Sequence, residues 1–394
     1  MTLTIREVKT KRELKAFIAF PEKLYKNNPN WVHALWMDEY DTLLKDKNPA
    51  FEYCDAWYFV AERDGKVVGR VAAIINHNAN RDWNERNMRF GWLDFIDDFE
   101  VSSALLGMVE ELASEKGLTA IQGPFGFTDM DREGMLVEGF EHMGSFTTLY
   151  NFPYYMEHLE RLGYVKDADW HQRIFDVPES VPEKLKQYSR IIRQKYGVHV
   201  LIPESRKQLK GYAVGLFQAL NKAFVPLYGF TPISDKQINS YINQFISMIN
   251  FDLVCLVLNE EDKVVAFAVT MPSLSVAMRK ANGRLFPFGI FHILKALKNF
   301  ETVDMLMIGI VPEYQNKGLN AVIFDHINSN FIKLGVKRVI ANPQLETNKA
   351  VQSIFDYYEG KPYKTRRCYI KRSASAIDAA ASTITGTLSA KQVS

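Results

Sequence analysis

Residues 304–334 read DMLMIGIVPEYQNKGLNAVIFDHINSNFIKL. The apolar run 305–311 predicts a buried strand, Pro312 stops it, and Leu319, Ile323, Ile327 and Phe331 then recur at helical spacing. The loop between strand and helix delivers a helix N-terminus around Gly318. About four amides at such a terminus have no intrahelical partner and carry a partial positive charge, so they hold a phosphate or pyrophosphate without a cationic cluster. Gly318 has no Cβ to keep that ligand away.

Working outward, 198–202 reads as a strand and 207–224 and 235–250 as helices. DLVCLVLNEEDKVVAFAVTMP (252–272) reads as two strands around a polar turn, VKRVIAN (336–342) as a strand and 348–358 as a helix. The first half repeats this order with little identity. TIREV (4–8) is strand-like, 12–24 is helical, and AWYFVAERDGKVVGRVAAII (56–75) is a hairpin turning at Asp64-Gly65. A strand at 89–96 follows, then a helix with Val101, Leu105, Met108, Val109 and Leu112 on one face, ended by Gly117, and the strand LTAIQGP (118–124).

The 310–320 stretch resembles the acetyl-coenzyme A loop of the GNAT superfamily of N-acetyltransferases, Q/R-x-x-G-x-G/A between a strand and a helix. Gln315 and Gly318 match it, whereas Asn320 stands where the family prefers Gly or Ala. The resemblance implies an α/β (α+β) fold of two GNAT-like acyl-CoA N-acyltransferase domains, each a mixed central sheet flanked by helices. It implies acetyl-CoA as co-substrate, held by Gln315, Asn316, Lys317, Gly318, Leu319 and Asn320, with the strand amides of Ile310 and Val311 pairing with the pantetheine arm. ETNKAVQSIFDYYEG (346–360) resembles the family's last helix, which an Asn starts and whose Tyr often protonates the departing thiolate. Asn348 fits the first role, Phe355 occupies the usual Tyr slot, and Tyr357 or Tyr358 is either the general acid or a packing residue.

At the matching position the first half carries Asp97, Asp98 and Glu100, and no glycine. Carboxylates suit the positive end of a helix but repel a pyrophosphate. Coenzyme binding is therefore assigned to the second half alone. FDVPESVPEK reads as a linker, which divides the chain into a degenerate GNAT-like domain (1–177), a coenzyme-binding one (178–372) and a disordered tail (373–394) too poor in apolar residues to pack. The tandem layout, though no motif, is also similar to that of two-lobed Fem-type aminoacyl transferases.

The 394 residues suit two domains of about 150–200 residues, and 47% hydrophobic with 24% charged residues is a globular composition. A net charge of +2 without a long basic block gives no reason to expect nucleic acid. Three separated cysteines argue against disulfides, no His or Cys spacing suggests a metal, and no run suits a signal peptide or an integral membrane segment. The expected location is cytoplasmic, and the expected acceptor a small-molecule or peptide amine.

Several segments stay open between two readings. KTRRCYIKR (364–372), with Arg366, Arg367, Lys371 and Arg372, suits an edge strand blunted by charge, or contacts to the coenzyme's 3′-phosphate or an acidic acceptor. LFPFGIFHILKALKNF (285–300) suits a helix packed between the halves, or a lid facing a greasy acceptor or lipid headgroups. GPFGFTDMDREGMLVEGF (123–140) is a loop that lines the acceptor groove or simply connects elements. Glu301, Asp304 and Glu346 are acids available to take the amine's proton, with none singled out. The functional expectation is direct transfer of an acetyl or other acyl group from coenzyme A to a primary amine, beside a catalytically inactive coenzyme-binding or sensor protein.

Overall fold

Fourteen strands form one sheet, to which each half contributes seven in the same order. The computed structural model describes residues 2–245, 248–348 and 359–373. The first half supplies β1 (Leu3–Glu7), β2 (Cys54–Arg63), β3 (Lys66–Asn76), β4 (Asn87–Phe95), β5 (Ala120–Gly123), β6 (Met135–Glu138) and β7 (Val165–Asp176). The second supplies β8 (His199–Val200), β9 (Val254–Leu258), β10 (Val264–Pro272), β11 (Thr302–Ile310), β12 (Arg338–Ala341), β13 (Gln344–Leu345) and β14 (Lys361–Arg372). Flanking them are α1 (Lys11–Leu24), α2 (Trp36–Leu43), α3 (His77–Asp82), α4 (Phe99–Glu115), α5 (Tyr154–Arg161), α6 (Glu183–Tyr196), α7 (Arg206–Phe224), α8 (Asp235–Phe245), α9 (Ser275–Lys280), α10 (Gly289–Lys298) and α11 (Leu319–Leu334).

The spatial order is β1-β2-β3-β4-β5-β14-β7-β12-β11-β10-β9-β8, with β6 beside β14 and β13 beside β7. Read from either edge, it is the same sequence of seven strands with the last ones exchanged. β14 pairs with β5 of the first half through Tyr369↔Gly123, and β7 pairs with β12 of the second through Arg338↔Asp176. The exchanged strands lie antiparallel to each other along nearly their whole length. Parallel pairing occurs at β4–β5 and β11–β12, the equivalent positions of the two halves.

Local chemistry accounts for the elements as expected. Asp64 and Gly65 both adopt positive φ (52° and 72°), the two-residue geometry that suits the twist of a hairpin. Thr10 and Glu13 close a capping box at the start of α1. Val101, Leu105 and Val109 are fully buried along α4, and Val322, Ile323 and Ile327 along α11. Each such side chain contributes roughly 1.5–3 kcal/mol by leaving water, so each half has its own apolar core beneath its helices.

Two expectations need correction. KTRRCYIKR is no edge strand: β14 lies between β5 and β7, and Lys364, Arg366, Arg367 and Lys371 are engaged within the protein, while Arg372 is exposed. Arg366 is buried and donates to the Leu149 carbonyl (2.6 Å) and the Thr148 hydroxyl (2.8 Å), while Arg367 forks onto Asp169 and Lys371 onto Glu110. Strand exchange is a long-range choice of neighbour, which alternation along one strand does not encode. Within 123–140, the stretch Met135–Glu138 is strand β6 paired with β14 rather than loop.

Candidate active site

β11 and β12 run parallel from Thr302↔Arg338 to Met305↔Ala341, and then they part. β11 continues to Ile310 with β10 on one side. On the other, beyond an Asn342 Nδ2 bond to the Leu306 carbonyl (2.8 Å), the half-buried stretch 306–310 has no strand partner among the described residues. A strand edge left open inside a sheet offers backbone donors and acceptors to an extended ligand.

The gap leads to the Gly318 loop. Val311 anchors the loop by donating its N–H to the Val265 carbonyl (3.0 Å), and the Gln315 Nε2 folds back onto the Ile310 carbonyl (3.1 Å). Asn316 and Gly318 take positive φ (58° and 81°), and Gly318 is the N-cap of α11 with no side chain bonded to the first turn. The terminus is thus left with open amides at an exposed glycine. The φ of Gly318 favours glycine, and a Cβ there would lie 3.1 Å from Ile192 Cδ1 of α6, which would have to give slightly. Lys317 sets its ammonium over the rings of Tyr314 (4.9 Å) and Tyr196 (5.4 Å), which keeps a cation beside the loop. Leu319 is buried in the core, so only its amide faces the loop side. Asn320 lies in the first turn of α11. The unusual backbone angles fall at Asn316 and Gly318, so the tolerance of Asn for them is used at 316 and not at 320.

Asn348 follows β13 and donates its N–H to the Leu345 carbonyl (2.9 Å). Tyr357, Tyr358 and Phe355 lie outside the described residues, as does the tail from 374.

Of the three acids left open, the surroundings separate one. Glu301 accepts from Lys337 Nζ at 2.6 Å, and Glu346 from Lys166 Nζ at 2.7 Å and the Asp169 amide at 3.0 Å. Asp304, in the last rungs before the strands part, is buried, and among the described residues neither oxygen has a partner in good hydrogen-bond geometry, Ser273 being the nearby hydroxyl. Burial pushes its carboxyl up to about 6, with Ser273 and the Lys364 charge pulling only weakly the other way. Lys364 is buried in turn, and loss of solvation brings its ammonium down to about 7, with Arg366 acting in the same direction. Its Nζ donates to the Met143 carbonyl at 2.5 Å. A carboxyl and an amine that both titrate near neutrality suit proton transfer. A signal for Asp304 exists in the sequence, since it is the one charge inside the largely apolar run TVDMLMIGI. Lys364 had none, because it comes from the exchanged strand.

The first half closes the equivalent gap with its own chain. β4 and β5 pair from Asn87↔Ala120 to Arg89↔Gln122, after which Phe125 donates its N–H to the Phe90 carbonyl at 2.8 Å. Phe125 and Phe127 are buried there, and a Cβ on Gly91 would come within 2.2 Å of the Phe125 oxygen. At the start of α4, Asp98 caps the Glu100 amide and Arg63 binds both carboxylates (2.5 and 2.7 Å).

Solved structures share this fold. The chain superposes on a tandem GNAT protein from the clavulanic acid biosynthesis pathway with a TM-score of 0.52 at 12% identity, covering 94% of this chain and 98% of that one. It has a tandem GNAT fold. A GCN5-related glucosamine N-acetyltransferase region of a fungal multi-domain β-N-acetylglucosaminidase gives a TM-score of 0.54 at 14% identity, over 94% of this chain and 38% of that chain. Two curated relatives align over nearly the whole chain. Protein YghO of Escherichia coli K12 is 29% identical over 378 residues (93% of this chain, 95% of the relative). A bacterial ceramide synthase of Caulobacter vibrioides is 28% identical over 377 residues (94% and 97%). No family model matches the chain.

Proposed function

We propose that the chain is an N-acyltransferase that passes an acyl group from coenzyme A to a primary amine by direct attack. The observation that carries this reading is the parting of β11 from β12, with the open Gly318 terminus at its mouth and the unpaired Asp304 at its root. A pyrophosphate at the amides around Gly318, beside Lys317, leaves the pantetheine arm to run along 306–310 towards Asp304. We place coenzyme binding in the second half only, where Gln315 and Asn316 shape the loop, Ile310 and Val311 its entry, and Asn348 the facing side.

An ammonium must lose a proton before it attacks. Asp304, ionised above about 6, accepts that proton, and Lys364 close by keeps a positive charge near it until about 7. The amine nitrogen then bonds to the thioester carbon, the carbon–sulfur bond breaks, and the thiolate leaves with the electron pair and takes up the second proton that the nitrogen sheds in becoming an amide. Holding amine and thioester together in the gap supplies much of the rate.

The name of the Caulobacter relative extends the proposal to the acceptor. A ceramide is an amide of a long-chain amino alcohol, so the acceptor class we favour is an amphipathic primary amine. The test is free-thiol release and amide formation with acetyl-CoA and longer acyl-CoAs against small amines, peptides and long-chain amino alcohols. Turnover with the last group is expected. Coenzyme binding without thiol release from any pair would identify an inactive binder.

A further inference from the structure

α10 presents its apolar side outward. Phe286, Phe288, Phe291 and Leu294 are 74%, 72%, 65% and 47% exposed, while Ile293 faces in. Surface phenyl groups scattered singly need no explanation, but four large apolar side chains gathered on one short segment do.

The charge around them has one sign. From Lys263 to Phe300 the chain has no acidic residue, and Arg279, Lys280, Lys295 and Lys298 are all exposed. Arg284 is the exception in being neutralised, through Glu22 at 2.9 Å. Protruding phenyls flanked by exposed cations that form no ion pair among the described residues are complementary to a surface with an apolar interior and an anionic skin. A protein partner of ordinary composition would instead be expected to meet a mixed-charge rim around its apolar centre. No helix among the described residues is long and apolar enough to cross a membrane, so contact through this face is peripheral.

The segment is rigidly seated. Ile293 packs with Val32, Leu274, Ala277 and Met278 in a small core of their own. Met271, at the border of that core, is the register partner of Asp304, and Met143, also at its border, lends the carbonyl that holds Lys364.

We infer that the face carrying Phe286, Phe288, Phe291 and Leu294 docks onto the headgroup layer of an anionic phospholipid bilayer. The phenyls enter the boundary between headgroups and acyl chains, and Arg279, Lys280, Lys295 and Lys298 meet the lipid phosphates. The docking stands whether or not the chain transfers acyl groups.

The experiment is flotation of the full-length protein with vesicles of phosphatidylcholine alone and of phosphatidylcholine mixed with phosphatidylglycerol, at low and high salt. The wild type should float with the anionic vesicles and be released by salt. Phe288→Ser/Phe291→Ser should lower the partition by about ten-fold or more, and Lys295→Glu/Lys298→Glu by a similar factor on anionic vesicles only. All four side chains are exposed, so the melting transition should stay in place and report intact folding. Equal flotation of wild type and either variant overturns the proposal, as does a wild type that ignores anionic vesicles. A wild type that self-associates while Phe288→Ser/Phe291→Ser is monomeric also overturns it, and gives the face to a second copy of the chain.

Discussion

The amide of Phe125 bonds to the carbonyl of Phe90 at 2.8 Å, and in the second half no described strand makes the corresponding bond to β11 beyond Met305. Both halves part their parallel strands at the same place, but one fills the opening with Phe125 and Phe127, while among the described residues no strand fills the other. The asymmetry repeats at the helix that follows. α4 begins under Asp98 and its Arg63 clamp, and α11 begins at a bare glycine. Two features, strand pairing and helix cap, thus distinguish the two halves among the described residues.

Gly318→Glu should remove coenzyme binding while the fold persists. The substitution puts a carboxylate where a pyrophosphate would sit and forces a side chain into positive φ against Ile192, at about 1 kcal/mol of strain. Thermal melting with acetyl-CoA at about 100 times its dissociation constant should stabilise the wild type by about 2.7 kcal/mol and leave the variant unmoved. A shift that survives in the variant would place the ligand elsewhere.

The boundary at Pro178 falls between β7 and α6, yet cutting there should not yield two stable proteins. A fragment of residues 1–177 would leave β5 without β14, and the complementary fragment would leave β12 without β7. Each has a long unpaired interior edge, the kind that aggregates. We expect either fragment alone to be insoluble and the two co-expressed to form a complex that melts cooperatively. A soluble, cooperatively folding single fragment would contradict this.

Much of this was legible in the chain. The hairpins, α4, α11 and the Gly318 loop follow from alternation, helical spacing and turn residues, all of them local. The inequality of the halves was legible in Asp97, Asp98 and Glu100 against Gly318. Strand exchange was not, because nothing near Arg366 says that its neighbours are Thr148 and Leu149. Asp304 shows the same limit. Its sequence marks it as unusual, but its burial and the Lys364 charge from a strand some sixty residues on show only in the structure.

Asp304→Asn should change activity and stability in opposite directions. The folded carboxyl titrates near 6, above its unfolded value, so the folded state holds the proton more tightly. The penalty is absent below about 4, grows between about 4 and 6, and is complete above 6, where it amounts to about 2–3 kcal/mol as an upper bound. A neutral amide escapes it. The variant should therefore melt higher than the wild type at pH 8 and match it near pH 4, while its kcat falls by about 10²–10⁴. A variant that is less stable at pH 8, or one as active as the wild type, would remove Asp304 from the role.

Lys364→Met tests the coupling between the exchanged strand and the site. The ammonium, present below about 7, helps keep the Asp304 carboxyl ionised. Without it the carboxyl should titrate higher, so the acid limb of the kcat profile should move to higher pH while the plateau is largely kept. A merely structural lysine would change melting and expression but leave that limb in place. The profile needs only the pH range 5 to 9, in which the wild type should lose activity as Asp304 is protonated below about 6. A limb that does not move would show that Lys364 and Asp304 do not share a proton balance, and the amine's proton would then have to leave by water through the open edge at 306–310.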